Sequence, residues 1–165
     1  MSGEARGFEI QALRAQERPW LAEHLRLAWG STAIVSRGRV HDAARLPALV
    51  AVRGEELVGL ATFYLARGSC ELVTLEAFAR REGIGSALLA TIVRYARRRG
   101  AARLWLVTSN DNLDALRFYQ RRGLRIVAVH RGAIDEARQV KPVIARVGEH
   151  GIERHDELEL ELPLR

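Results

Sequence analysis

The chain has 165 residues, a length typical of one domain, and a domain of this size buries roughly 70% of the surface that its unfolded chain exposes. Its net charge of +6 is carried almost entirely by arginine, and with aromatics at only 6% a stacking surface for single-stranded nucleic acid is not expected. Because the lone cysteine, Cys70, excludes an intrachain disulfide and no apolar run approaches the ~20 residues of a membrane span, we expect one cytoplasmic domain over residues 1–165.

The first 46 residues predict a strand, a helix and a loop. Residues 8–13 alternate enough for a first strand. Residues 16–29 carry apolar side chains at helical spacing, and Gly30 ends that helix. The periodicity is lost over residues 30–46, where we expect a mobile loop that holds at most a short helix and serves as a binding element.

Three strands are predicted next, joined by short turns. Residues 48–53 and 57–65 are apolar runs, and the intervening Gly54-Glu55-Glu56 is typical of a hairpin. A second turn at residues 67–69 leads into a strand over residues 70–75. These segments predict an antiparallel meander.

The second half of the chain alternates helices and strands. Apolar spacing predicts, in order, a helix at 84–99, a strand at 104–107, a helix at 112–122, a strand at 124–129, a short helix at 133–140 and a loop at 141–152. Residues 157–162 alternate Glu and Leu, which predicts a strand with one leucine face and one glutamate face. The order of elements favours a mixed α/β fold whose sheet carries helices on both faces.

Glycines at positions 83 and 85 lie between a predicted strand and a predicted helix. Here the backbone can approach a ligand closely, and the free amides of the first helical turn favour an anion. A dinucleotide-binding loop would need a further glycine at Leu88, and a nucleoside-triphosphate loop would need Gly-Lys-Ser/Thr. A pyrophosphate from another ligand fits better, although glycines also begin helices for steric reasons alone.

Two motifs resemble one protein family. Arg80-x-x-Gly83-x-Gly85-Ser86-Ala87-Leu88-Leu89 resembles the coenzyme A signature of the GNAT N-acetyltransferase superfamily. Asn110-Asp111-Asn112-x-x-Ala115-x-x-Phe118-Tyr119-x-x-x-Gly123-Leu124 is similar to its second motif, and residues 47–130 follow its order of elements. The resemblance implies a mixed, mostly antiparallel sheet whose central strands splay apart at a bulge, with acetyl-CoA as cosubstrate in the gap.

The resemblance also implies which residues hold the cofactor. The pyrophosphate would lie against the glycine loop, and the strand before it would offer backbone groups to the pantetheine arm and the thioester carbonyl. The predicted cofactor-binding residues are Val73, Leu75, Arg80, Arg81, Gly83, Ile84, Gly85, Ser86, Asn112 and Tyr119. Two of them have a structural alternative, since Asn112 suits a helix cap and Tyr119 an ordinary core position.

Two side chains are predicted to act in the reaction. Tyr119 would protonate the leaving thiolate, and Glu71 would accept a proton from the incoming ammonium. Strand alternation places Glu71 on the same side as Val73 and Leu75. In the alternative, Glu71 forms a structural ion pair with an arginine, and Glu76, expected in an exposed loop, is the second candidate base.

Together these residues predict an acetyl-CoA-dependent N-acetyltransferase that acts on a small-molecule or peptide amine and needs no metal. The acceptor pocket is predicted in the two segments without strong periodicity, at Trp29, Ser36, Arg37, His41, His130 and Arg131. The alternative function is a catalytically silent CoA-binding or RNA-associated module with the same fold. Nucleic acid is not an expected partner, and a homodimer stays open.

Overall fold

The computed structural model describes residues 7–165, which form a seven-stranded sheet, a separate two-stranded hairpin and four α-helices. The strands are β1 Glu9–Ala12, β2 Ala33–Ser36, β3 Arg39–Asp42, β4 Ala48–Arg53, β5 Glu56–Ala66, β6 Ser69–Ala77, β7 Arg103–Ser109, β8 Arg125–His130 and β9 Glu157–Pro163. The helices are α1 Arg18–Trp29, α2 Ile84–Arg98, α3 Leu113–Gln120 and α4 Ala133–Val140. Short 3-10 turns lie at Ala15–Glu17 and Glu149–Gly151.

The seven strands lie in the order β1-β4-β5-β6-β7-β9-β8. Neighbouring strands are antiparallel except for β6 and β7, which are parallel. The predicted meander is confirmed as β4-β5-β6, with positive φ angles at Gly54 in the first turn and at Arg67 and Gly68 in the second. The mixed, mostly antiparallel sheet is therefore confirmed.

Helices cover both faces of the sheet, as the sequence predicts. On the face that we call the α2 face, α2 buries residues at helical spacing into the larger core: Ile84, Leu88, Ile92 and Ala96. On the opposite α1 face, Leu21 and Leu25 of α1 pack with Val50 and Leu60 of the sheet. No helix within residues 7–165 is long and apolar enough to cross a bilayer.

The segment predicted as a mobile loop over residues 30–46 forms a hairpin of β2 and β3, so that prediction is wrong. Arg37 and Gly38 both have positive φ angles, as a two-residue hairpin turn with the right twist requires. The sequence pattern concealed the hairpin because each strand has only four residues, and the buried side chain of β3 is the polar His41. Ile34 of β2 packs with α1 residues, which places the hairpin on the α1 face.

Strand β9 confirms the predicted alternation and lies between β7 and β8 within the sheet. Its leucines, Leu158, Leu160 and Leu162, pack into the core of the α2 face. The glutamate face is not solvent-exposed, since Glu157 and Glu159 are both buried. This buried acidic face is the first sign of a site on the α1 face.

Gly59 in β5 lies beneath the start of α2, where a Cβ atom would overlap Ile84 Cγ2 and approach the Glu76 carbonyl oxygen to 3.1 Å. We expect Gly59→Ala to lower the free energy of unfolding by about 1–3 kcal/mol, the usual cost of overpacking. Denaturant unfolding measures it. Gly7→Ala is the control, because among the described residues no atom lies within 4 Å of its added methyl. Equal midpoints for the two variants would contradict this account of the packing.

Candidate active site

The parallel strands β6 and β7 separate partway along their length. They pair at three positions, Ser69 with Arg103, Cys70 with Leu104 and Glu71 with Trp105. Both strands continue beyond these pairs, β6 to Ala77 and β7 to Ser109. The result is a gap in the centre of the sheet that opens after Glu71.

A β-bulge lies at the mouth of this gap. Thr62 pairs with Thr74 but the next residue of β5 pairs with Leu72, which leaves Val73 unpaired on that side. The two threonine hydroxyls lie 2.7 Å apart and are buried. The bulge also shifts the alternation, since Val73 packs on the α1 face and Leu75 on the α2 face. The expectation that Leu75 shares a side with Glu71 and Val73 is therefore wrong.

The first turn of α2 has free backbone amides. Gly83 is its N-cap residue, with φ +77°, and no side chain caps this helix. Helix α3 differs, because Asn112 accepts a hydrogen bond from the Ala115 N–H at 3.1 Å through its side chain. The predicted capping role of Asn112 is confirmed, and the uncapped end of α2 is left as a place for an anion.

Gly85 lets α3 approach α2 closely. A Cβ atom there would lie 3.2 Å from the Phe118 ring. The Arg122 guanidinium stacks over the Phe118 ring, 3.6 Å from its centroid, and donates hydrogen bonds of 2.9 and 2.6 Å to Ser86 Oγ. Arg122 was not among the predicted site residues. The available signal was its position four residues after Phe118 within the helix predicted over residues 112–122, although α3 itself ends at Gln120.

Tyr119 lies on α3 and is 9% exposed, among the residues of the α2-face core. Burial raises the pKa of its phenol, so the hydroxyl keeps its proton at neutral pH. Within residues 7–165 this hydroxyl makes no hydrogen bond. The hydroxyl is therefore protonated and has no hydrogen-bond partner in the described part of the chain.

Glu71 is buried and forms a hydrogen bond of 2.9 Å with His41 Nε2 from the hairpin. The alternative prediction, an ion pair between Glu71 and an arginine, is wrong, because the basic partner of Glu71 is His41. His41 is itself buried and lies with its ring 5.2 Å from the ring of Tyr64. The hairpin thus places His41 against Glu71, which is the one carboxylate among the three β6 residues that pair with β7.

Three of the six predicted acceptor residues meet where the hairpin faces β9. The Arg37 backbone N–H donates to Glu157 at 3.1 Å, and its guanidinium lies 3.5 Å from Glu159. His130 from β8 contacts Glu159 at 2.8 Å. Ser36 is buried at the same hairpin end.

Two of the predicted acceptor residues lie elsewhere. Trp29 donates from its indole N–H to Glu76 at 2.7 Å, and His24 contacts the other carboxylate oxygen of Glu76. Glu76 lies within β6 and is half-buried, so its expected place in an exposed loop is wrong. Arg131 follows β8 and is exposed.

Comparison with known proteins identifies the family. The model of the acetyltransferase (GNAT) family matches residues 9–124, more than half of the chain and the whole of the splayed region with its two motifs. The chain belongs to the GNAT acetyltransferase family. The resemblance seen in the two sequence motifs is thereby confirmed.

Individual proteins are similar to the chain in sequence or in fold. The chain is 34% identical over 131 residues to the uncharacterized protein YdhI of Bacillus subtilis (strain 168), a match that covers 79% of this chain and 82% of the relative. It has the fold of an IAA acetyltransferase from Bacillus cereus ATCC 14579, with TM-score 0.74, 22% identity and coverage of 94% and 99%. A GNAT family acetyltransferase from Elizabethkingia anophelis with acetyl-CoA bound gives TM-score 0.73, 19% identity and coverage of 95% and 98%.

In this GNAT chain the second motif also holds β9 in place. Asn110 Oδ1 accepts hydrogen bonds from the backbone N–H groups of His155 and Asp156, at 3.0 and 3.2 Å. Asp111 is fully buried and accepts from the Glu149 N–H at 2.8 Å and from Arg154 Nε at 3.0 Å. The segment leading into Glu157 is therefore fixed by motif residues, a role with no sequence signal because the partners lie about 40 residues apart.

Proposed function

We propose that the chain is an acetyl-CoA-dependent N-acetyltransferase that transfers the acetyl group to a primary amine by direct attack on the thioester. The observation that carries the proposal is the gap between β6 and β7, which opens at the Val73 bulge. A slender chain such as the pantetheine arm fits between separated strands, where unpaired backbone groups can bind it. The uncapped start of α2 suits the pyrophosphate of the same molecule.

The residues around the start of α2 are suited to an anionic ligand. The amides of Ile84, Gly85 and Ser86 belong to the uncapped turn. Within residues 7–165, three nearby arginines form no ion pair and can contribute positive charge: Arg80, Arg81 and Arg122. Along the gap, the proposed contacts to the pantetheine arm and the thioester are Val73, Leu75, Asn112 and Tyr119.

Each protein group has a defined task in the proposed transfer. Acetyl-CoA supplies the acetyl group as a thioester. Glu71 accepts one proton from the acceptor ammonium, which leaves a neutral amine as the nucleophile. The backbone N–H at Val73 donates to the thioester oxygen as negative charge develops there. Tyr119 gives its proton to the sulfur as the C–S bond breaks, and the second proton lost by the amine nitrogen restores the phenol through solvent.

The acceptor is proposed to bind on the α1 face, opposite the core that holds Tyr119. Support comes from the polar side chains that meet there, Ser36, Arg37, His41 and His130. Trp29 and Arg131 are also proposed to contact the acceptor, at a distance from this group, since neither contacts it among the described residues. A small-molecule amine or an amine of a peptide is the proposed acceptor class.

A pair of substitutions at Gly83 tests the cofactor site. Asn and Asp both tolerate the positive φ of this position and have nearly the same shape, so they differ in charge and in the N–H donors of the Asn amide. Asp should hold the helix start at least as well as Asn, because a negative charge suits the N-terminus. Near a pyrophosphate the same charge costs about 1–4 kcal/mol, so Gly83→Asp should bind acetyl-CoA about tenfold or more weakly than Gly83→Asn.

Under this proposal, replacing Asn by Asp at position 83 changes acetyl-CoA affinity, measured by calorimetry, and thermal stability, measured by unfolding, in opposite directions. The Asp variant should be no less stable than the Asn variant, yet should bind acetyl-CoA less tightly. Equal acetyl-CoA affinity in two folded variants would place the pyrophosphate away from α2.

A further inference from the structure

One buried carboxylate on the α1 face has no cationic partner among residues 7–165. Glu157 is 2% exposed, and the hydrogen bond that it accepts there comes from the Arg37 backbone N–H, at 3.1 Å. The neighbouring carboxylates differ. Glu159 contacts three basic side chains, Arg37, Arg103 and His130, and Glu71 contacts His41. Glu157 therefore forms no ion pair of its own, although the charges of Arg37 and His130 lie near enough to lower the pKa of its carboxyl.

A second buried group beside it also lacks a partner. Ser36 is 3% exposed, and its hydroxyl makes no hydrogen bond within the described residues. Ile34 is paired with His41, and Ser36 lies two positions after Ile34, so Ser36 shares the inward face of the hairpin with His41. The next residue, Arg37, is the one whose N–H reaches Glu157. The free hydroxyl consequently faces the layer that contains Glu157.

We propose that Glu157 and Ser36 form a subsite for a second ammonium group of the acceptor, which makes the acceptor a short diamine. The inference rests on the proposed function, in which Glu71 serves the amine that is acetylated. An ammonium group carries three N–H donors and can bind both the carboxylate and the hydroxyl. A monoamine would leave the Ser36 hydroxyl without a hydrogen-bond partner and the Glu157 carboxylate without an ion-pair partner, and both groups are buried.

The ionisation behaviour of Glu157 agrees with this subsite. Burial raises the pKa of its carboxyl, and burial and the charge of Glu71 together outweigh the Arg37 N–H hydrogen bond and the charges of His130 and Arg37, which lower it. A bound cation removes both penalties at once, because it offsets the lost hydration and the repulsion between the two carboxylates. Arg37 and Arg103 also carry positive charge near this place. Their repulsion of a bound cation is reduced, because Arg37 is paired with Glu159 and Arg103 with Glu161.

Calorimetry with two matched amines tests the subsite. The protein with CoA bound is titrated with putrescine and with n-butylamine, which share a four-carbon chain and differ in the second amine. We expect putrescine to bind about tenfold or more tightly, as a buried charge pair requires. In Glu157→Gln the ratio of the two affinities should fall toward one. Ser36→Ala, which deletes only an unpartnered hydroxyl, should lower the ratio by a few-fold.

Glu161→Gln is the control, because Glu161 lies on the same face of β9 but is paired with Arg103 at 2.6 Å. This variant should keep the preference for putrescine. Equal affinity for the two amines in the wild-type protein would overturn the inference, as would a preference that survives both Glu157→Gln and Ser36→Ala. Putrescine binding without any acetyl transfer would instead remove the proposed function and leave the subsite. Acetyl transfer to both amines, bound with equal affinity, would support the proposed function and remove the subsite.

Discussion

Tyr119→Phe is expected to lower the rate of acetyl transfer by about 10²- to 10⁴-fold, the usual contribution of a positioned general acid. The change deletes a hydroxyl that makes no hydrogen bond within residues 7–165 and keeps the ring that packs in the α2-face core. Thermal stability and acetyl-CoA affinity should therefore change little. Because slow product release can conceal a chemical step, single-turnover transfer is the measurement to make.

Tyr95→Phe is the matched control for this experiment. Tyr95 lies on α2 and packs edge to face against Phe63, with ring centroids 5.3 Å apart, so its ring is held by similar contacts. Its hydroxyl has no task in the proposed reaction, and the Phe variant should transfer acetyl at the wild-type rate. A Tyr119→Phe protein that also keeps that rate would show that water or the acceptor supplies the proton, and Tyr119 would be a packing residue.

Glu71→Gln is expected to lower turnover by about 10²- to 10⁴-fold at a pH where the acceptor is an ammonium ion. Gln keeps an oxygen that can accept from His41, so the contact with the hairpin survives. The loss should shrink as pH rises, because an amine that is already neutral needs no protein base. The pH profile of the variant should therefore follow the ionisation of the acceptor alone.

Glu76→Gln separates the two candidate bases. Glu76 lies on the same strand as Glu71 and also contacts a histidine, His24. If Glu71 is the proton acceptor, Glu76→Gln should keep the wild-type pH profile. The opposite result, a changed profile in Glu76→Gln and an unchanged one in Glu71→Gln, would move the base to the outer end of β6.

The sequence predicted those elements whose signals are local. Helix α2 has apolar residues at helical spacing between Gly83 and Gly100, and its observed limits differ from the prediction by one residue. The meander was predictable because its turns carry glycine, and β9 because Glu and Leu alternate along it. The two family motifs could be recognised for the same reason, since each lies within one loop and the helix that follows it.

The missed features depend on contacts between distant segments. The bulge at Val73 leaves no trace in the sequence, because β6 is buried on both faces there and a shift of alternation exchanges one apolar residue for another. The pairing of Glu71 with His41 joins positions 30 residues apart, and the approach of Arg37 to Glu157 joins positions 120 apart. Both contacts depend on the hairpin of β2 and β3, which the sequence analysis did not recognise. The burial of Glu71, Glu157 and Glu159 beneath this hairpin therefore could not be predicted.

Acetyl transfer itself tests the central claim most directly. The purified protein is incubated with acetyl-CoA and an amine panel that includes putrescine, n-butylamine and a lysine-containing peptide, and both the released thiol and the acetylated amine are measured by mass spectrometry. We predict one acetylated amine for each thiol released, with both products formed about 10²- to 10⁴-fold more slowly in single-turnover transfer by Tyr119→Phe. Acetyl-CoA that binds the protein but yields no acetylated amine would contradict the proposal and favour a catalytically silent CoA-binding module.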